Sequence, residues 1–370
     1  MGAWFKRALA EMGLPPSWIA PSAWFFRENP AIPRMETLAD FQRCAREVQR
    51  GHLLEDIAGI LKQCDAVLLN GENFLRPGTL KGRRLLFLAY LTKTVFRKPC
   101  ILTNHSIDLR EPGLVELLKE IYPTLDEVHF RENDSAEAAA PMLPPGGWKI
   151  IPDVAFAVPA APLKEWADLG CRDGQFSAWP DFAGGFDPRK KYVTVCASSI
   201  FVLSENRSKD PVPAFIDLCR RLNEEVAPVV LSAPCEIDTQ IMRRVQAATG
   251  FPLLGPHLPV RQAIDIIGNA VVHVGGRWHP GIFAATGGTP MVALSANTRK
   301  VHSLVQQLGM NTPVFDALAL GDHIEAIVEQ AKAHVTAGAP LRHRLQERSR
   351  ELATQVGHNL DWFRTRIGRA

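Results

Sequence analysis

Short apolar runs alternate with stretches of helical period along most of this chain, and that alternation admits few folds. Strands that read as continuous apolar runs are buried on both faces, so the pattern predicts parallel sheets covered by helices, an α/β class. The strand candidates of the first half are residues 66–69, 100–103, 127–130 and 148–151, and those of the second half are residues 192–196, 229–231, 270–274 and 291–294. At 370 residues the chain exceeds what one hydrophobic core comfortably organises, which predicts two domains. The expected division is residues 1–157, a Pro-, Gly- and Trp-rich connection over 158–190, a second domain over 191–340, and a C-terminal amphipathic helix over 341–370.

Composition narrows the partners. A formal charge of +3 and a 22% charged fraction are too ordinary to argue for nucleic acid and leave small molecules or glycans as the expected ligands. Seven scattered cysteines without a CxxC pair predict reduced thiols and a cytoplasmic protein. The longest apolar run, residues 85–91, is far too short to span a bilayer. The basic residues around it (Lys81, Arg83, Arg84, Lys93, Arg97, Lys98) leave a weak contact with an anionic membrane surface open, although a solvated helix with basic ends is the simpler reading.

The segment 271–290 carries the clearest chemistry. It reads as a buried strand that breaks at Gly275-Gly276 and restarts as a helix, with Pro280 suited to the first helical position and Arg277 and His279 at the junction. First-turn N–H groups lack intrahelical partners, so such a junction can take an anion; an arginine fork could grip it and an imidazole could bind it or move a proton. A helix start whose Arg and His merely face water fits the same spacing. Polar clusters follow most other strand candidates too, and in open α/β sheets ligands bind beyond the carboxyl ends of the strands. Within these clusters Glu72, Asn104, His105, Ser135, Ser198 and Ser199 are candidate substrate-binding residues, although Ser and Asn in such places often only cap helices. Arg131 before one helix start, and Arg299 and Lys300 at another, stand where the helix dipole disfavours cations; a bound anion would reverse that cost.

The succession Asn70-Gly71-Glu72-Asn73, Asn104-His105-Ser106, Arg131-Glu132-Asn133-Asp134-Ser135, Gly276-Arg277-Trp278-His279-Pro280 and Asn297-Thr298-Arg299-Lys300 resembles the polysaccharide pyruvyl transferase family over about residues 60–310. The resemblance implies two Rossmann-like domains with parallel sheets facing a cleft, a GT-B-like arrangement, with phosphoenolpyruvate as donor and a sugar or glycan as acceptor. Arg277 and His279 match the family's Arg-x-His at the donor, Arg131 matches its arginine before a helix, and Lys300, or Arg299 if the turn is one residue shorter, matches its lysine. Two departures stand out. The chain opens in helix-like sequence where the family opens with a strand, so the first strand is missing or the start lies upstream, and Asn73 replaces a glycine.

Ketal formation from phosphoenolpyruvate needs a proton donor and an anion clamp. His279 is the candidate general acid, Arg277, Arg131 and Lys300 the clamp, and His105 and Glu72 are candidates for orienting or deprotonating the acceptor. No cofactor is required, and no cluster with metal-ligand spacing is visible. Two alternatives remain open. One is a nucleotide-sugar glycosyltransferase of the same architecture, sialyltransferase-like in its His279-Pro280 pair, although no acid lies between His279 and Asp316 to supply the paired glutamates of retaining enzymes. The other is a non-catalytic glycan-binding relative.

Overall fold

A computed structural model describes residues 2–14, 16, 35–170, 187, 189–206 and 208–366. The chain divides into two compact units, Met1–Val154 with Gln355–Ala370, and Ala155–Thr354. Of the expected connection over 158–190, residues 171–186 lie outside the described residues, while Leu163–Gly170 forms a helix.

The first unit is built on a four-stranded parallel sheet, in spatial order β1 (Val67–Leu75), β2 (Cys100–Ile107), β3 (Glu127–Phe130) and β4 (Trp148–Ile150). Helices Leu38–Gln49, Glu55–Gln63, Leu80–Tyr90 and Pro112–Ile121 supply its core, including Phe41, Leu61, Phe87 and Leu118, all fully buried. A reciprocal capping box between Thr37 and Asp40 starts the first of these. An N-terminal helix, Gly2–Glu11, stands where the sequence reads as helix-like.

The second unit holds six parallel strands: β5 (Val193–Ser198), β6 (Val229–Ser232), β7 (Leu253–Leu254), β8 (Val272–Gly276), β9 (Met291–Leu294) and β10 (Val314–Phe315). Their spatial order is β7-β6-β5-β8-β9-β10. The chain therefore winds outward from β5 in one direction and then returns to start β8 on the other side. The gap between β5 and β8 is a topological switch point, where connections leave in opposite directions and open a crevice at the carboxyl ends. All six residues of β5 are buried, as are all of β6, β8 and β9, which is the signature of a sheet covered on both faces.

Two expectations need correction. The polar clusters after the first two strand candidates are not turns. Asn70–Asn73 and Asn104–Ser106 continue inside β1 and β2, because a register shift beyond Glu72 lets the pair bulge, with Glu72 (φ 44°) and Asn104 (φ 53°) both left-handed. The basic helix Leu80–Tyr90 is not a solvated face either. Arg83 and Arg84 are buried, and Arg83 is paired with Glu36 and Glu111. Among the described residues no helix is long and apolar enough to cross a membrane.

The C-terminal helix is longer than its sequence period suggests. It runs from Leu320 to Gln355, but Gly338 (φ 52°, ψ −134°) breaks it internally, and Pro340 follows at the start of the second limb. The amphipathic stretch beginning near Leu341 is that second limb. A turn of 3₁₀ helix, Val356–Leu360, and the short helix Asp361–Arg366 then belong to the first unit.

Candidate functional site

At the switch point of the second unit three strand ends are tied by side chains. Ser198 Oγ, at the end of β5, donates to the carbonyl of Ser295 beyond β9. Ser199 Oγ donates to Asn297 Oδ1 at 2.9 Å, and the same amide oxygen accepts from Lys300 Nζ at 2.8 Å. Gly276 makes this closeness feasible: a Cβ there would lie 2.5 Å from Ser198 Oγ and 2.8 Å from the Ser295 carbonyl. Ser198 and Ser199 are thus the stitching of β5 to β9, and Lys300, only 5% exposed, is held against that stitching.

The helix after β8 begins at Trp278, with Arg277 as its N-cap in extended conformation and no side-chain cap among the described residues. Pro280 is the third helical residue rather than the first. Proline is tolerated there because N–H groups throughout the first turn have no carbonyl to reach. His279 sits half-buried in that turn with its ring stacked on Phe283, centroids 6.3 Å apart and planes 19° apart, a contact set by the one-turn spacing. After β9 the helix begins at Lys300 and not near Asn297; Arg299 is its N-cap residue and is exposed.

Arg277 does not stand alone. Its Nε and Nη2 donate to Asp238 Oδ1 at 3.2 and 2.6 Å, and Nη2 also reaches Cys235 Sγ at 3.2 Å. Asp238 is fully buried, and the Arg277 side chain is 15% exposed. Burial raises the Asp238 carboxyl pKa against the opposing pull of Arg277; for Arg277 burial works downward, and the neighbouring Asp238 and Cys235 outweigh it, so its pKa rises. A guanidinium cannot shed its charge, so the pair stays a buried salt bridge whose tip reaches the surface.

The candidates of the first unit form a separate set. His105 has no exposure: its Nδ1 faces the carbonyl of His129 at 2.9 Å, its Nε2 faces the Tyr122 hydroxyl at 2.9 Å, and burial pushes its pKa down to about 3. It is a neutral core residue and is not placed to deprotonate an acceptor. Arg131, 1% exposed, donates through Nε to Ser106 Oγ and through Nη1 to Asp153, both at 2.8 Å. Its charge is met inside the fold, which is why a cation is tolerated before the helix Asn133–Ala139. That helix starts at Asn133, where Glu132 caps it by accepting from Ser135 N at 2.9 Å. Ser135 Oγ in turn accepts from Ile107 N. Asn104, 1% exposed, donates to Asn70 and accepts from Val154 N, and half-buried Glu72 accepts from Asn70 at 3.1 Å.

Sequence reasoning missed Asp238, Cys235, Asn297 and Asp153 as partners of the charged candidates. Asp238 lies at the third position of the helix Glu236–Thr249, where an acid reads as complementing the dipole, so nothing local marks it as aimed elsewhere. Among the described residues no group of three or more His, Cys, Asp or Glu side chains could hold a metal ion.

Two units on parallel sheets, the second wound outward from a switch point, give an α/β fold of the GT-B type, which solved structures share. The S. aureus MnaA–UDP co-structure superposes with a TM-score of 0.53 at 14% identity, covering 96% of this chain and 92% of that one. A glycosyltransferase from Rickettsia africae gives 0.53 at 10% identity (93% and 85% covered), and the E. coli trehalose-6-phosphate structure bound with UDP-2-fluoro glucose gives 0.51 at 12% (99% and 86%). At these identities the likeness is one of fold. No curated protein sequence matches this chain. The particular family comes from sequence: the polysaccharide pyruvyl transferase profile matches residues 14–298, most of the chain, and the protein belongs to that enzyme family.

Proposed function

We propose that the protein transfers the pyruvyl group of phosphoenolpyruvate to a sugar of a glycan or glycan precursor as a cyclic ketal. The observation that carries this reading is the pair of helix starts at the carboxyl ends of β8 and β9, with Arg277 as the N-cap and His279 in the first turn of one, and Lys300 opening the other. Such a junction suits an anionic donor. In the reaction the methylene carbon of phosphoenolpyruvate takes a proton, C2 takes one sugar oxygen, and the second oxygen displaces phosphate. The two hydroxyl protons balance the one gained by carbon and the one carried off with phosphate. His279 delivers the proton, a role worth about 10²- to 10⁴-fold in rate. Arg277 and Lys300 hold the donor's anionic oxygens, with no metal or cofactor in the scheme. The reading assigns the reaction to the cytoplasm, and six free cysteines among the described residues support it.

The test is acceptor-dependent phosphate release with mass-spectrometric detection of a pyruvate ketal. His279→Ala is expected to fold normally and release no phosphate, and full activity would remove His279 from the chemistry. Arg277→Lys is expected to fail as well, since an ammonium cannot meet Asp238 and a donor oxygen together in one plane. A nucleotide-sugar reading draws on the two structural neighbours holding UDP or a UDP-sugar. Thermal-shift comparison of phosphoenolpyruvate with UDP and CMP separates the two: stabilisation by a nucleotide alone would favour the second.

A further inference from the structure

Asp238 spends an unusual position on an unusual task. Acids in a first helical turn ordinarily face water and complement the dipole. This one is fully buried and turned toward a residue 39 positions away, at the end of β8. Both of its oxygens are engaged: Oδ1 accepts from Nε and Nη2 of Arg277, and Oδ2 accepts from Cys235 Sγ at 3.3 Å. Cys235 Sγ closes the ring by accepting from Nη2. The Nε–Nη2 edge of the guanidinium is therefore fixed by protein, and Nη1 takes part in none of these four bonds.

We infer that Asp238, with Cys235, is the positioning residue of the donor site, orienting Arg277 to meet one oxyanion oxygen end-on through Nη1 instead of gripping two with its side-on fork. The inference rests on the proposed reading of Arg277 as a donor ligand. Its logic is physical. A buried ion pair is a poor source of stability compared with apolar packing, so its value here lies in orientation and in supplying a counter-charge while the site is empty. Both edges of a guanidinium can donate in parallel pairs, and occupying one decides which edge a ligand meets.

Calorimetric titration of phosphoenolpyruvate into the full-length protein tests this with Asp238→Asn, Arg277→Ala and the double variant. Asp238→Asn keeps the shape but turns an amide N–H₂ toward a donor, and it is expected to weaken donor binding about tenfold. The double variant is expected to bind no more weakly than Arg277→Ala alone, since one substitution acts through the other. A merely structural aspartate would lower thermal stability and leave the affinity of the folded protein alone. Wild-type affinity in Asp238→Asn, tighter binding, or additive losses would each overturn the inference. If Arg277→Ala itself binds like the wild type, the donor-site reading fails instead. Should Asp238→Asn not fold, Cys235→Ala carries the test: weakened binding that disappears in the Arg277→Ala background supports the positioning role, and unchanged affinity overturns it.

Discussion

Two of the histidines with no exposure, His105 and His273, set a pH dependence that belongs to the fold and not to the chemistry. Burial holds the first down to about pKa 3 and the second to about 4, against an ordinary 6.5. His273 Nδ1 faces Thr194 Oγ1 at 3.0 Å, so each ring has a polar neighbour that suits the neutral form. In the acid range the unfolded chain binds protons that the folded one refuses. Stability is therefore full above the ordinary value and falls as pH drops through it toward the folded values, by up to about 1.4 kcal/mol per pH unit for each histidine. Urea midpoints are expected to fall steadily from about pH 7 to about pH 5, with a shallower slope in His105→Gln. Glu127 is shifted down as well, but by a different cause: burial raises its pKa, and hydrogen bonds from His129 and Lys149 outweigh that and bring it to about 2. Its contribution is lost only as pH falls below the ordinary carboxylate range, outside the window measured. An unchanged midpoint across that window would contradict the burial of both rings.

At the scale of elements, the joint of β5, β8 and β9 is the most constrained part of the second unit. A methyl group at Gly276 would press on Ser198 from one strand and on a backbone carbonyl of the next, and a carbonyl cannot swing aside as a flexible side chain can. Gly276→Ala is expected to cost about 1–3 kcal/mol and to abolish activity by parting Ser198 from Ser295, read by denaturation and by phosphate release. Retained activity with only a small loss of stability would show that the joint can open without harm. The glycine pair was legible in sequence because it interrupts an apolar run; its role in letting three strands touch was not, since that depends on two serines far along the chain. The same contrast recurs elsewhere. The runs at Cys100, Val229 and Met291 announced their strands through burial on both faces, whereas β7 and β10, two residues each, are too short to leave a pattern. Asn- and Gly-rich ends of β1 and β2 mimic turns because those residues tolerate left-handed backbone, and only the register of β1 against β2 shows that they stay in the sheet. Arg131 illustrates the limit for sites. Its placement before a helix was visible, while the carboxylate of Asp153 that satisfies it comes from 22 residues later.

For the whole molecule, the path of the chain returns its last described stretch to the first unit. Val356, Asn359 and Leu360 have no exposure and Phe363 has 5%, and Thr103 Oγ1 of β2 donates to Asn359 Oδ1 while also facing His129 Nδ1 at 3.1 Å. Each buried apolar side chain of that kind contributes about 1.5–3 kcal/mol, so removing three of them approaches the whole stability of an ordinary domain. Truncation after Thr354 also leaves the Thr103 and His129 pair without the amide that completes it, a further cost of about 1–3 kcal/mol. The second unit has its own core, centred on Val195, Leu231, Val274 and Leu294, none of which belongs to the deleted stretch. The truncated chain is therefore expected to lose amide protection in β2 and β3 under hydrogen exchange while β5, β6, β8 and β9 keep theirs. Uniform loss would mean that the two units fold as one cooperative body, and unchanged protection in β2 would mean that Asn359 and its neighbours only cover a sheet that is stable without them.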